Sequence, residues 1–492
     1  MENKSIWKYN IKNKKYPSLN QDIRCDVLII GGGITGLTTA YFLKDINTLN
    51  TVLIDKDMCG MGISAKSTGK LTIMQNLIYD KISKCYDTKT SLKYLNSQKE
   101  AIKIVRDIIL KNDISCNYDK TPSYVFTNDI NKIKNFDNEI SFYKKANIKY
   151  KVKNYIPLDY PSIYSLKINT GGVFNPVKYL LSLREIINKN IKIYEDTKAI
   201  KIYKRNNTYL VHTDKNYIIY TKTLVVSTHY PIFILKGLIP FKTHVEKSYL
   251  LCASSNSNKG IQLLSNTSPK VTIRYHTDKQ KNYIIYGGYT HNINNIVDTR
   301  DIYKNLISSY KENFSGKIKC YWSNHDIMSY DNLPYIGKID ENLYIATAYN
   351  KWGNTNGTIA GKIITDLILN KNNPYINLFN PTRKLSKDKI KNLIIYNYKT
   401  IKRYILNKLS KKMTYYDNTV KIKKINNILC GIYIDKEGIH HIVKNTCPHM
   451  KCNLIFNYKD KTWDCPCHGS RFDIDGNVLF GPSVYNIKID NN

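Results

Sequence analysis

Two cysteine–histidine pairs near the C-terminal end are the residues of this sequence best suited to chemistry. Cys447-Pro448-His449 is followed, after fifteen intervening residues, by Cys465-Pro466-Cys467-His468-Gly469-Ser470. Two thiolates and two imidazoles in the order C-x-H then C-x-x-H suit a binuclear iron–sulfur cluster, with both sulfurs on one iron and both nitrogens on the other. Neutral imidazoles in place of anionic thiolates raise the potential of such a cluster, which would move single electrons. The same donors also build tetrahedral zinc sites, but zinc sites usually separate their first ligand pair by roughly two to four residues. Cys447 and His449 are separated by one, so the spacing favours the cluster and leaves zinc as the alternative. Cys452 and Cys467 lie beside the two ligand loops and are left over once four ligands are assigned.

The block Asn445–Ser483 resembles the high-potential Rieske family, whose members carry CTHLGC, CPCHGS and a proline loop. Here these stand as Cys447-Pro448-His449-Met450-Lys451-Cys452, Cys465 to Ser470, and Gly481-Pro482-Ser483. The resemblance implies Cys447, His449, Cys465 and His468 as ligands of a Rieske-type [2Fe-2S] cluster, a disulfide between Cys452 and Cys467, and Ser470 as a donor to a bridging sulfide. One position departs from the pattern. Respiratory members have Tyr two residues after that Ser, where this chain has Phe472, and Phe has no hydroxyl to donate toward a ligand sulfur.

A second constellation lies near the N-terminus. The apolar run Asp26-Val27-Leu28-Ile29-Ile30 leads into Gly31-Gly32-Gly33-Ile34-Thr35-Gly36 and a helical pattern through Leu43, and a further strand, Thr51 to Ile54, ends in Asp55. Strand, G-x-G-x-x-G, helix, strand and acid form the dinucleotide-binding fingerprint: the glycines admit the turn and the pyrophosphate, the helix N-terminus holds the phosphates, and Asp55 accepts the ribose hydroxyls. Asp331-Asn332-Leu333-Pro334-Tyr335-Ile336-Gly337, a strand at Leu343 to Ala348, and Asn350 to Gly357 opening a helix follow much later.

Together these motifs resemble FAD-dependent oxidoreductases of the glycine and D-amino-acid oxidase (DAO) superfamily, and specifically its Rieske-fused members. The resemblance implies that FAD is held by Gly31, Gly33, Ile34, Thr35, Gly36, Asp55, Lys56, Ser64, Thr72, Gly353, Asn356, Gly357 and Thr358. The implied fold is an α/β Rossmann-like FAD-binding domain of glutathione-reductase type with an antiparallel-sheet substrate domain, followed by an all-β Rieske domain. The expected divisions are a polar leader over 1–22 and a flavin-dependent unit over 23–380, with FAD-binding parts at 23–82, 170–240 and 327–372 and substrate-domain parts at 83–169 and 241–326. A basic linker helix over 381–412 and the Rieske domain over 413–492 complete the chain. Arg274, as a carboxylate anchor, and Lys70, beside the flavin, are the candidate catalytic residues.

The charge, 75 basic against 39 acidic residues, would suit nucleic acid or an anionic membrane. The lysines are scattered among Asn, Ile and Tyr as a coding bias would leave them, so nucleic acid is not expected; an acidic soluble electron-transfer protein is a better use of the charge. Met1 to Gln21 lacks the apolar core of a secretory signal, and no apolar run of membrane-spanning length occurs, which points to the cytoplasm. Six cysteines between Cys25 and Cys320 read as reduced, buried thiols. Residues 383–412 carry eleven basic residues and one acidic, with an apolar stripe at Ile390, Leu393, Ile394, Tyr398, Ile401, Ile405 and Leu409. Such a helix packs its stripe on a neighbouring domain or lies on a membrane surface.

The whole reads as a flavin enzyme that oxidises a small amine or amino-acid-like substrate and passes electrons through the cluster to an external acceptor. The alternatives are an oxygen-using oxidase with a structural Rieske domain, and a redox sensor without turnover. Because Phe472 removes a hydrogen bond that would stabilise the reduced cluster, a redox titration followed by EPR should give a midpoint potential below that of respiratory Rieske proteins.

Overall fold

The structure, a computed structural model, describes residues 1–232, 236–295, 297–385 and 418–489, together with 390, 393–395, 397, 398, 401, 402 and 405. In chain order, the elements that position the site begin with β1 (Ile23–Ile30), α1 (Ile34–Leu43), β2 (Thr51–Ile54) and β3 (Ile218–Val226). They continue with β4 (Thr243–Ser255), β5 (Lys281–Asn292), β6 (Ile318–Ser329), β7 (Leu343–Thr347) and α2 (Gly353–Ile368).

The continuous apolar run of β1 has the composition of a strand covered on both faces. It pairs in parallel with β2 on one side and β3 on the other, and β7 adds in parallel beyond β3. Helices α1 and α2 pack on this sheet and on each other. A Cβ on Gly36 would sit 1.9 Å from the Gly31 carbonyl oxygen, and a Cβ on Gly357 would sit 2.5 Å from Ile34 Cγ2. Those two glycines therefore act as packing residues that let helix approach turn and helix approach helix. The helix Thr88–Lys111, expected in the substrate domain, buries Leu95, Ala101 and Val105 in the same core as Leu37, Ile359 and Ile363.

The substrate domain is built on a nine-stranded, largely antiparallel sheet in which β6, β4 and β5 are adjacent. The segment expected to be a polar leader is part of this body. Glu2–Asn3 pairs with the start of β6, and Ile6, Trp7 and Leu19 are buried. Trp7 donates its Nε1–H to the Ser67 carbonyl at 2.7 Å, and the Arg274 guanidinium lies 5.0 Å from its ring centroid.

The C-terminal unit is all-β, with one antiparallel sheet of Val420–Ile425, Ile428–Ile434 and His440–Lys444 and a second of Ile455–Asn457, Thr462–Asp464, Arg471–Phe472 and Val478–Phe480. Most of the 381–412 segment and the first residues of the 413–492 unit lie outside the described residues. Of the expected stripe, Ile390, Ile394, Tyr398, Ile401 and Ile405 are exposed, Leu393 is half-buried, and Leu409 lies outside the described residues. The six cysteines from Cys25 to Cys320 are buried and form no disulfide, as expected. Replacing Trp7 by Ala should destabilise the flavin unit by about 3–5 kcal/mol, the usual cost of emptying a large buried aromatic site, read by chemical denaturation followed through flavin fluorescence.

Candidate functional site

A cavity of about 1000 Å³ runs between the parallel sheet and the substrate-domain sheet. The N-termini of α1 and α2 both open onto it. Neither helix has a side-chain cap on its first turn; the Ile34 amide donates to Ser64 Oγ at 3.2 Å. Uncapped helix N-termini present unmet N–H groups and the positive end of the helix dipole, which suits a pyrophosphate at one end and a negatively charged ring system at the other. The loop that delivers α2 holds Ala348, Asn350 and Lys351 at positive φ, a conformation that costs non-glycine residues energy and clusters at functional sites. Asp55 sits at the far end and accepts hydrogen bonds from the Gly32 amide at 2.6 Å and the Asp57 amide at 2.8 Å, while burial pushes its carboxyl up to about 6.

Of the residues singled out for FAD, Gly31, Gly33, Ile34, Thr35, Asp55, Lys56, Ser64 and Gly353 line this cavity. Gly36, Thr72, Asn356, Gly357 and Thr358 do not. Thr72 is engaged with Ser123 and the Met74 amide, Asn356 with Gln98, Tyr94 and the Tyr349 carbonyl, and Thr358 with the Asn354 carbonyl. These five hold the cavity's wall from behind. Lys70 faces the cavity and donates from Nζ to the Leu263 carbonyl and to Thr272 Oγ1, each at 2.6 Å. Burial, with a lesser contribution from Arg274, lowers its pKa to about 7. Arg274 does not face the cavity. Its guanidinium donates to the Thr68, Phe174 and Tyr275 backbone carbonyls and stacks on Trp7, so it ties the leader and the flavin loop to the sheet.

The substrate-domain wall shows groups that motif reading did not single out: Lys81, Lys270, Lys351, Glu246 and Asp326. Lys351 Nζ lies 2.8 Å from Glu246 and 3.1 Å from Thr290 Oγ1. Burial raises Asp326 to about 6. Glu246 on β4 and Asp326 on β6 share one face of the sheet, and nothing in a single strand says which face meets a cavity; Lys81 lies in the helix Ile78–Cys85, and Lys270 and Lys351 lie in loops without a pattern.

The two cysteine–histidine loops fold alike. Cys447 N–H donates to the Cys452 carbonyl at 2.8 Å and Cys465 N–H to the Ser470 carbonyl at 2.7 Å, while Lys451 and Gly469 donate back to the Cys447 and Cys465 carbonyls from positive-φ positions. Cys452 and Cys467 are joined by a disulfide across the loops. Cys447 and Cys465 are buried, and the imidazoles of His449 and His468 stand 5.1 Å apart between ring centroids. His468 Nδ1 is buried without a hydrogen-bond partner, as an atom reserved for another ligand would be. The hydrogen bond with Cys465 brings Cys447 down to about 7 against the effect of burial. Ser470 is buried and accepts the Ser483 amide at 3.0 Å, and Phe472 lies in the core of the unit.

Strands β4 and β6 lie between the cavity and part of the C-terminal unit, which also reaches the cavity directly through Arg471, Phe480 and Ser483. Glu246, Ser248, Asn324 and Asp326 line the cavity. The alternate residues reach the C-terminal unit: Lys247 pairs with Asp460 at 2.8 Å and Asp464 at 3.2 Å, and Ser323 donates to Asp460 at 2.8 Å. Arg471 completes the buried network, 2.9 Å from Asp460 and 3.0 Å from Asp464. Burial alone would raise both carboxylates, but Lys247 and Arg471 hold them well below the usual range. A Cβ on Gly469 would meet Ile293 and Val245, and Tyr230 and Val245 share a small recess with Cys467 and His468. Phe480 stacks near both His229 and His325, and all three line the large cavity.

A family model described as DAO, FAD dependent oxidoreductase, matches residues 26–367. The chain belongs to this family. A second model, described as the Rieske [2Fe-2S] domain, matches residues 408–489. A Bacillus subtilis (strain 168) protein, YhfW, described as a Rieske 2Fe-2S iron-sulfur protein, is 30% identical over 98% of this chain and 97% of its own length. The gamma-glutamylputrescine oxidoreductase of Escherichia coli (strain K12) is 22% identical over 73% of this chain and 86% of its own. Among solved structures, L-amino acid deaminase from Proteus vulgaris superimposes with TM-score 0.61 at 18% identity, covering 77% of this chain and 98% of that one. L-proline dehydrogenase from P. horikoshii gives TM-score 0.61 at 19% identity, covering 75% and 98%.

This flavoenzyme therefore carries FAD and a Rieske-type [2Fe-2S] cluster as its cofactors. The local structure fits both: the cavity is lined by two helix N-termini and by Gly31, Gly33 and Gly353, and the paired loops offer two buried thiols and a buried imidazole nitrogen without a hydrogen-bond partner. Cys465→Ser should remove the cluster's EPR signal and iron while leaving the FAD content and flavin absorbance of the purified enzyme unchanged.

Proposed function

We propose that this flavoenzyme works in the cytoplasm, oxidises a small amine or amino-acid-like compound bearing an anionic group, and passes the electrons through its Rieske cluster to an external one-electron acceptor. The observation that carries this reading is the shared wall: one sheet whose alternate residues line the flavin cavity and hold the cluster domain. The proteins it resembles support the substrate class, since one acts on gamma-glutamylputrescine and the structural neighbours on L-amino acids and L-proline by their names.

Bound FAD supplies a two-electron acceptor for hydride from the carbon bearing the amine, and the cluster held by Cys447, His449, Cys465 and His468 takes electrons one at a time. The remaining work belongs to the chain. Lys81, Lys270 and Lys351 give the cavity's substrate end cationic groups for a carboxylate, a role for which Arg274 is not placed. Lys70 Nζ takes the proton from the substrate ammonium, because a buried lysine with a pKa near 7 is neutral in a large fraction at neutral pH. Loss of hydride and proton leaves an imine, which water converts to a carbonyl compound and ammonia, or an amine where the substrate nitrogen is alkylated. The two electrons leave singly, to two equivalents of acceptor. Val245 lies against the cluster loop, and Ser248, three residues further along β4, lines the cavity; at strand rise that span is about 10 Å.

Anaerobic screening of amino and N-methyl acids, followed by visible and EPR spectra, tests the reading. A substrate that bleaches the flavin and then reduces the cluster supports it, and stoichiometric peroxide in air with the cluster left oxidised would assign an oxidase instead. No bleaching by any amine would leave a sensor. For a bleaching substrate, the reduction rate should rise as pH increases through about 7, since Lys70 must lose its proton to act as a base. Lys70→Met should lower that rate about 10²–10⁴-fold and remove the transition.

A further inference from the structure

One apolar surface of the molecule is uncovered among the described residues. Ile390, Ile394, Tyr398, Ile401 and Ile405 are 42%, 60%, 63%, 55% and 49% exposed. Their spacing of four, four, three and four puts them on one face of a helix. Beside them lie Leu238 and Phe241, 58% and 45% exposed. The two strips are joined, because Asn397 Nδ2 donates to the Phe241 carbonyl at 2.9 Å.

The charge around this surface is one-sided. Residues 383–412 hold eleven basic side chains and one acidic. Arg383 is spent on Asp331 at 2.7 Å, which anchors the segment to the flavin domain and leaves ten basic side chains beyond it. Apolar residues interrupted every few positions by lysines, too charged to make a spanning run, are what an interfacial helix needs. A second copy seated on the same face would bring two strongly basic segments together, and like charges at close range repel. An acidic protein would satisfy the lysines but leaves the isoleucine face without a matching requirement.

We propose that this surface docks on an anionic phospholipid membrane, with Ile390, Ile394, Tyr398, Ile401, Ile405, Leu238 and Phe241 in the interfacial layer and the basic residues among the headgroups. The placement matters because Pro240 and Asn397 share a small recess with Cys467 and His468. Docking there puts the cluster loops at the membrane side of the chain, within reach of a one-electron acceptor held in or on the bilayer. The docking itself does not rest on the oxidation proposed above; only the identity of the acceptor's compartment does.

The test is cosedimentation of the full-length holoenzyme with phosphatidylcholine vesicles and with mixed phosphatidylcholine–phosphatidylglycerol vesicles. The expected result is pelleting with the mixed vesicles only, released by added salt. Ile394→Glu with Ile401→Glu should abolish it while flavin and cluster absorbance stay at wild-type values, and Lys399→Gln with Lys402→Gln should weaken it by about fivefold for each lysine neutralised. Equal pelleting with both vesicle types, or none with either, overturns the proposal. So does a concentration-dependent dimer, or a complex with an acidic redox protein, that the isoleucine variant abolishes while vesicle binding is unaffected. Because vesicle binding is read without turnover, a failed substrate screen leaves this result intact, and the reverse.

Discussion

The buried ion network of Lys247, Asp460, Asp464 and Arg471 is the interaction on which the joint working of the two cofactor sites depends. Removing four charges from water is costly, and the cost is offset only because each carboxylate meets two cations at hydrogen-bond distance and Ser323 adds a further donor. Such a network contributes little net stability against an apolar packing of the same volume. It contributes orientation: losing any member would leave an uncompensated charge buried between the domains, so the Rieske unit has one low-energy seat on the sheet. That seat brings Gly469 against Val245 and Ile293, and Phe480 between His229 and His325.

Within the flavin unit the corresponding constraint is the close approach of α1 and α2. Gly357 against Ile34 and Gly361 against Thr38 leave no room for a side chain at the crossing. The two helices are thereby held with their N-termini on the same cavity. Two loops at opposite ends of the flavin unit in sequence are brought to a single cavity by helix packing.

Much of this was legible in the residues, and the failures have physical reasons. Cysteine and histidine at short fixed spacings admit few other chemistries, so the cluster loops and their disulfide stand where the motifs put them. The glycine turn and Asp55 were equally plain, because strand, turn, helix and acid must agree. Gly36, Gly357 and Thr358 belong to the same motifs yet serve packing, since a motif marks a region and does not say which atoms face the ligand. Arg274 misled for a different reason. A guanidinium on a buried strand reads the same whether it meets a substrate or the Trp7 ring and three carbonyls, and the partner lies far away in sequence. The leader escaped notice because three buried apolar side chains among lysines and asparagines make no periodic pattern. The cationic groups at the substrate end were hidden because they come from one helix and two loops far apart in sequence, and nothing in a lysine-rich chain marks these three among the rest.

The alternation of β4 and β6 also limits how this chain can change. Successive residues there serve different chemistries, Glu246 and Ser248 on the cavity side and Lys247 on the cluster side. A deletion or insertion of one residue in β4 would exchange the two sets: a lysine would enter the cavity, and Glu246 would be set against Asp460 and Asp464. Substitutions along these strands are separable, one function at a time, whereas changes of length are not. Length variation in relatives of this architecture should therefore be confined to the strand ends and loops, with the central span of the dividing sheet kept in register.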